Sequence, residues 1–167
     1  EDLDNLPYPA RHLTDFDAYL KHFTHDLSYA AQILTSRGCP YRCAFCSSGS
    51  TFFKWRGRQA ESIVNEIEQI INTYPRIKSI SFMDDNFTLD RQRVIDICEL
   101  IIKRGLNKYP WDCLSRCSVL DEEMLQIMKE AGCVRIQYGI ESGSSQILKN
   151  IGKQIDLEQA RKTINLT

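Results

Sequence analysis

From Tyr29 onward the chain repeats one phrase four times, a short apolar run followed by a stretch with one apolar helical face. Tyr29-Ala-Ala-Gln-Ile-Leu-Thr35 predicts a buried strand that gives way at Gly38. Ile63, Ile67, Ile70 and Ile71 recur at helical spacing, which predicts a helix over roughly Ala60–Tyr74, closed by Pro75. Ile77–Met83 is the second strand. Val94, Ile97 and Ile101 mark one face of a helix over about Asp90–Arg104, with Gly105 placed to end it. Trp111–Arg116 is the third strand, and Asp121-Glu-Glu123 opens a helix whose carboxylates suit its positive end. That helix closes at Lys129 and Gly132. Cys133–Ile140 is the fourth strand, followed by helical pieces near Ser144–Asn150 and Asp156–Asn165.

Strand and helix in strict alternation call for a parallel sheet with right-handed helical crossovers. A closed barrel needs roughly 200 residues or more. With 167 residues and four units, the expected fold is an α/β partial (βα) barrel that stops before a fifth strand. The fourth strand would keep an unpaired edge, a place for self-association. Residues 28–167 form this core. Residues 1–27 are irregular, with Leu3, Leu6, Pro7 and Pro9 ahead of a short helix expected around Phe16–Phe23, and read as a linker or docking arm.

Bulk composition excludes more than it names. A net charge of −1 gives no electrostatic reason to expect nucleic acid. No apolar run approaches the ~20 residues of a membrane span. Seven cysteines is an odd count with no paired framework. Together with the lack of a secretory leader, this suits a reducing compartment, and a cytoplasmic location is expected.

Three of those cysteines are concentrated in Cys39-Pro-Tyr-Arg-Cys43-Ala-Phe-Cys46, a C-x₃-C-x₂-C run followed by Ser47, Ser48 and Gly49. Three thiolates on one short loop can each take one iron of a cubane cluster and leave the fourth iron open, where a ferredoxin run would supply a further cysteine. A zinc site is the competing use of close thiols. It usually wants four ligands, and His12, His22 and His25 all lie upstream. Cys98, Cys113, Cys117 and Cys133 fall on helix or strand positions and read as small buried hydrophobes.

In parallel α/β sheets, ligands gather outside the carboxyl ends of the strands. The cysteine loop follows the first strand, Asp84 and Asp85 the second, Arg116 ends the third, and Glu141 ends the fourth. Each has a plainer use. Asp84–Asn86 suits an Asx turn, Arg116 could pair with Asp121, Glu141 could be a loop acid, and Phe45 could pack under the loop. Lys54, Trp55, Arg56 and Arg58 form a small basic-aromatic patch, read as a solvated loop or as a contact to an anionic substrate or partner domain.

The cysteine spacing, with the aromatic Phe45 before the third cysteine, resembles the signature of the radical S-adenosylmethionine (radical SAM) enzymes. The resemblance implies a 4Fe-4S cluster on Cys39, Cys43 and Cys46, with SAM chelated at the open iron. It further implies reductive cleavage to a 5′-deoxyadenosyl radical that abstracts hydrogen from substrate, and an electron donor such as a flavodoxin or ferredoxin. Cofactor contacts follow in the same way. Phe45 would lie beside adenine, and Asp84, Asp85 or the Met83 backbone would accept from the amino group. Arg116, with Arg135 as the alternative, would fork the carboxylate, and Glu141 would accept from the ribose. Asp2–Arg11, Met83-Asp-Asp-Asn-Phe-Thr-Leu89 and Tyr138-Gly-Ile-Glu-Ser-Gly143 resemble the cobalamin-dependent branch, many of whose members transfer methyl groups. Cobalamin would be held by an upstream domain, since the Asp-x-His-x-x-Gly sequence that ligates cobalt is not in this chain. Methylthiotransferases share the last phrase. The substrate, a small molecule or a peptide, is not indicated. An electron-transfer module that makes no use of the open iron is the alternative from outside enzymology.

Overall fold

The structure, a computed structural model, describes residues 2–16, 18, 27, 29–47, 54–118 and 120–167. Its sheet contains β1 (Ala30–Ile33), β4 (Ser79–Phe82), β5 (Trp111–Ser115) and β6 (Cys133–Tyr138), parallel throughout and in that spatial order. A separate antiparallel pair joins β2 (Ser36–Arg37) to β3 (Arg56–Gly57). The helices are α1 (Ala60–Thr73), α2 (Arg91–Lys103), α3 (Glu122–Glu130), α4 (Ser145–Asn150) and α5 (Leu157–Leu166). Among the described residues no helix is long and apolar enough to cross a membrane.

Period-two alternation decides which face meets the helices. Ile80 and Phe82 of β4 and Trp111 and Cys113 of β5 join Ile63, Val64, Ile67 and Ile70 of α1 and Val94, Ile97, Cys98 and Ile101 of α2 in one core. Met124 and Met128 of α3 complete it. Phe82 and Phe87 stack at 4.7 Å with Trp111 edge-on to Phe82, and the indole N–H of Trp111 donates to the Ala131 carbonyl at 2.8 Å. Between these apolar positions Ser81 and Asp112 are register partners, and Asp112 pairs in turn with Arg135. The three form a polar row, Ser81 Oγ donating to Asp112 at 2.6 Å and the Arg135 guanidinium donating to its other oxygen.

All four strands of the sheet are shorter than the sequence expectation, and for β1 the cause is visible at both ends. Tyr29 has φ 56°, outside the extended region, so β1 starts at Ala30. β1 also stops at Ile33, because the Thr35 N–H goes to the Asp84 carboxylate at 2.6 Å and the chain turns away to pair with β3. Helix ends follow capping chemistry. Asp90 accepts from the Arg93 N–H, Asp121 from the Met124 N–H, and Gly105 takes φ 64° just past α2.

The N-terminal arm is fastened to the core where it is described. Tyr8 donates to the Ser62 carbonyl, and Asp4 accepts from the Gln59 N–H at the head of α1, where Gln59 makes no cap bond of its own. Arg11 reaches Glu66 at 2.7 Å and the Gln32 carbonyl at 3.2 Å. Between the arm and the end of β1 lies a cavity of about 510 Å³. The helix expected over Phe16–Phe23 lies almost wholly outside the described residues.

Candidate functional site

Gly38, at φ 89°, makes the left-handed turn by which the chain leaves β2 and enters the thiol loop. Inside the loop the Cys46 N–H bonds the Cys43 carbonyl at 3.0 Å, a tight turn that carries Phe45 outward, 55% exposed. All three thiols are free, with Cys39 and Cys43 half-buried and Cys46 exposed. Burial pushes the Cys39 thiol above its usual range. A hydrogen bond from the Tyr41 N–H and the Arg116 charge oppose that rise, while the Asp85 and Cys46 charges add to it. Groups from the thiol loop, the segment after β4 and the segment after β5 therefore act on one sulfur.

Arg116 lies inside this convergence. Only 6% exposed, it places its guanidinium 3.7 Å from the Tyr41 ring centroid, donates to the Gln154 carbonyl at 2.8 Å, and approaches Cys43 Sγ at 3.9 Å. A cation over an aromatic face is worth about 0.5–2 kcal/mol depending on desolvation. Its Nε is buried without a partner. It does not pair with Asp121, which is taken by Arg91 at 2.8 Å. Arg135, the alternative fork, is occupied by Asp112.

The two aspartates after β4 separate in role. Asp84 is buried, and its carboxylate accepts from the Thr35 N–H at 2.6 Å, the Thr35 hydroxyl at 2.5 Å and the Ser36 hydroxyl at 2.6 Å, with the Arg93 guanidinium 3.9 Å away. Through these bonds Asp84 ties the end of β1 to the end of β4. Asp85 is exposed and on the rim side, as its effect on Cys39 shows. Glu141 takes φ 69°, and its carboxylate accepts from Lys153 Nζ at 2.9 Å. Lys153 also stands 5.7 Å from the Phe45 ring centroid, so Glu141 and Phe45 share one cation.

Lys153 and Arg93 escaped the sequence reading. Neither sits in a motif, and their roles come from contacts many residues away in the chain. The basic-aromatic patch resolves into framework. Arg58 bonds Glu66, the Leu34 carbonyl and Ser62, and Arg93 lies over Trp55. Cys98, Cys113 and Cys117 are buried, as expected of small hydrophobes, whereas Cys133 is half-buried.

The donor chemistry fits an iron–sulfur cluster. Three soft sulfur donors stand on one loop, with a buried cation close to one of them. Among the described residues no group of three or more His, Cys, Asp or Glu side chains is gathered tightly enough to hold a single metal ion. A single ion requires donors converging on one point, whereas a cluster that gives each thiolate its own iron does not.

A parallel βα sheet with a three-thiol loop at its carboxyl rim defines a protein of the partial-barrel type whose loop suits a metallocluster. Residues 33–167 match the family model described as the Radical SAM superfamily, and the chain belongs to that family. Membership brings with it a 4Fe-4S cluster and SAM as cofactors. An uncharacterised methyltransferase of Pyrococcus horikoshii is 39% identical over 96% of this chain and 34% of its own length. Cytidylyl-2-hydroxyethylphosphonate methyltransferase of Streptomyces wedmorensis is 30% identical over 98% of this chain and 32% of its own. The radical SAM methyltransferase TsrM of Kitasatospora setae, solved with cobalamin and a [4Fe-4S] cluster bound, superposes with a TM-score of 0.73 at 22% identity, covering 82% of this chain and 28% of that one. The chain thus spans about a third of the length of these curated relatives.

Proposed function

We propose that this protein cleaves SAM reductively at a cluster held by Cys39, Cys43 and Cys46, and that the chemistry serves cobalamin-dependent methyl transfer to a small molecule or peptide. When bound, the cluster would supply the electron for sulfonium cleavage. The observation that carries the reading is the thiol loop at the carboxyl rim, with its own Phe45 exposed and with Arg116, Asp85 and Glu141 drawn around it from other segments. Two curated methyltransferase relatives support the methyl-transfer branch.

Residue roles follow from exposure and charge. Phe45 offers an open ring for the adenine. Asp85 is the carboxylate positioned for the SAM ammonium, and Glu141, oriented by Lys153, accepts from the ribose hydroxyls. Arg116 contributes positive charge beside the loop. Cobalamin would sit on a domain outside this chain, and a flavodoxin or ferredoxin in the cytoplasm would supply the electron.

The test uses the full-length protein, reconstituted anaerobically with iron, sulfide and cobalamin, then given SAM and a reductant. Chromatography with mass detection should find 5′-deoxyadenosine in the parent and none in Cys43→Ala. Parent protein that carries a cluster yet forms no 5′-deoxyadenosine would contradict the assignment.

A further inference from the structure

The segment after α4 touches the thiol loop at three places and Arg116 at a fourth, and none of them involves the cysteine motif's own spacing. The Ala44 N–H donates to the Ile151 carbonyl at 2.8 Å. Gly152, at φ 66°, lies so close to the loop that a Cβ there would meet the Arg42 carbonyl oxygen at 3.0 Å. Lys153 stands over Phe45, and the Gln154 carbonyl receives Arg116. Arg116 itself is a buried cation with no carboxylate in ion-pair distance among the described residues, an orphaned Nε, and one sulfur within reach, that of Cys43. A buried charge needs an opposite charge nearby. Cys43, when it ligates a cluster as the proposed function has it, would supply that anion 3.9 Å away.

We propose that Ile151–Gln154 is a cradle that shapes the Cys43–Cys46 half of the loop, and that Arg116 is the positioning residue that couples this cradle to the cluster as counter-charge to the Cys43 thiolate. The inference rests on the cluster reading above. Its electrostatic consequence is definite in sign. A cation beside a cluster ligand favours the more negative, reduced state, so Arg116 raises the reduction potential. Gly152 acts through shape alone.

The reconstituted protein is titrated anaerobically while its reduced signal is followed by electron paramagnetic resonance. Arg116→Gln should lower the potential, and Arg116→Lys, which keeps the charge without the fork, should recover part of the shift. Gly152→Ala should weaken iron retention by about 10-fold or more, the range found for supporting residues of metal sites, while leaving the potential of the retained cluster unchanged. An unchanged potential in a fully loaded Arg116→Gln protein overturns the proposal. Hydrogen exchange of the Ala44 amide in the iron-free proteins separates this failure from failure of the cluster reading. Faster exchange in Gly152→Ala and Arg116→Gln supports the cradle even where no variant takes up iron, and unaltered exchange in both overturns it.

Discussion

Two nodes stand on the same rim and are built in opposite ways. Around Asp84 one carboxylate receives three hydrogen bonds with a guanidinium behind them, all out of solvent. Around the thiols the loop carries a free, partly exposed sulfur set, held from outside by the turn after α4 and by Arg116. The first node closes on itself and fixes where β1 ends. The second keeps its reactive atoms uncommitted. Rigid framework and available ligands come from neighbouring residues of the same sheet edge, which is how a site can be positioned without being filled by its own protein groups.

The widest break in that comparison comes from Asp84→Ala, which strands the Arg93 charge and three donors in the interior. Urea denaturation of the iron-free protein should show a loss of about 3–5 kcal/mol, the usual cost of removing one partner from a buried ionic network. A near-neutral result would contradict the bracing role of Asp84. Next in size is a crossed pair. Cys46→Ala should abolish iron retention and change iron-free stability by less than ~0.5 kcal/mol, because the side chain is exposed. Cys98→Ala should do the reverse, keeping iron while losing about 1 kcal/mol from the core. Equal iron content in both variants would erase the distinction between the two kinds of cysteine.

The smallest effect belongs to Asp121 at the head of α3. Arg91 and the Met124 N–H hold its carboxyl below the usual carboxylate range. A depressed folded value means the stabilisation is present above the ordinary value of 3.8 and disappears as pH falls through the lower folded one. Asp121→Ala should cost about 0.5–1 kcal/mol at neutral pH, at the lower end for a lost cap since the side chain is solvated. The difference from the parent should shrink in acid denaturation profiles below pH 3.8.

The order of elements was legible because each helix carries its own apolar period and its own cap. Ile63, Ile67 and Ile70 locate α1 without help from the rest of the chain, and Asp90 and Asp121 mark the heads of α2 and α3. The thiol loop was legible for a similar reason, its three cysteines being local in sequence. The bonds Asp84 makes to the end of β1 were not legible, because a carboxylate at a strand end carries no local sign of which way it turns. Its direction is set by Thr35 and Ser36, 49 and 48 residues earlier. Lys153 was invisible for the same cause, since its meaning comes from Phe45 and Glu141. Reading succeeded where the determining contacts lie within a few residues and failed where they cross the fold.

The central claim is that the Cys39, Cys43 and Cys46 loop presents a cluster with one iron free to take SAM. Electron paramagnetic resonance of the anaerobically reconstituted, reduced protein before and after adding SAM addresses it directly. The account predicts a cluster signal whose shape changes with SAM in the parent and is absent in Cys39→Ala. A parent signal indifferent to SAM would leave an electron-transfer centre in place of the proposed enzyme and would contradict the account.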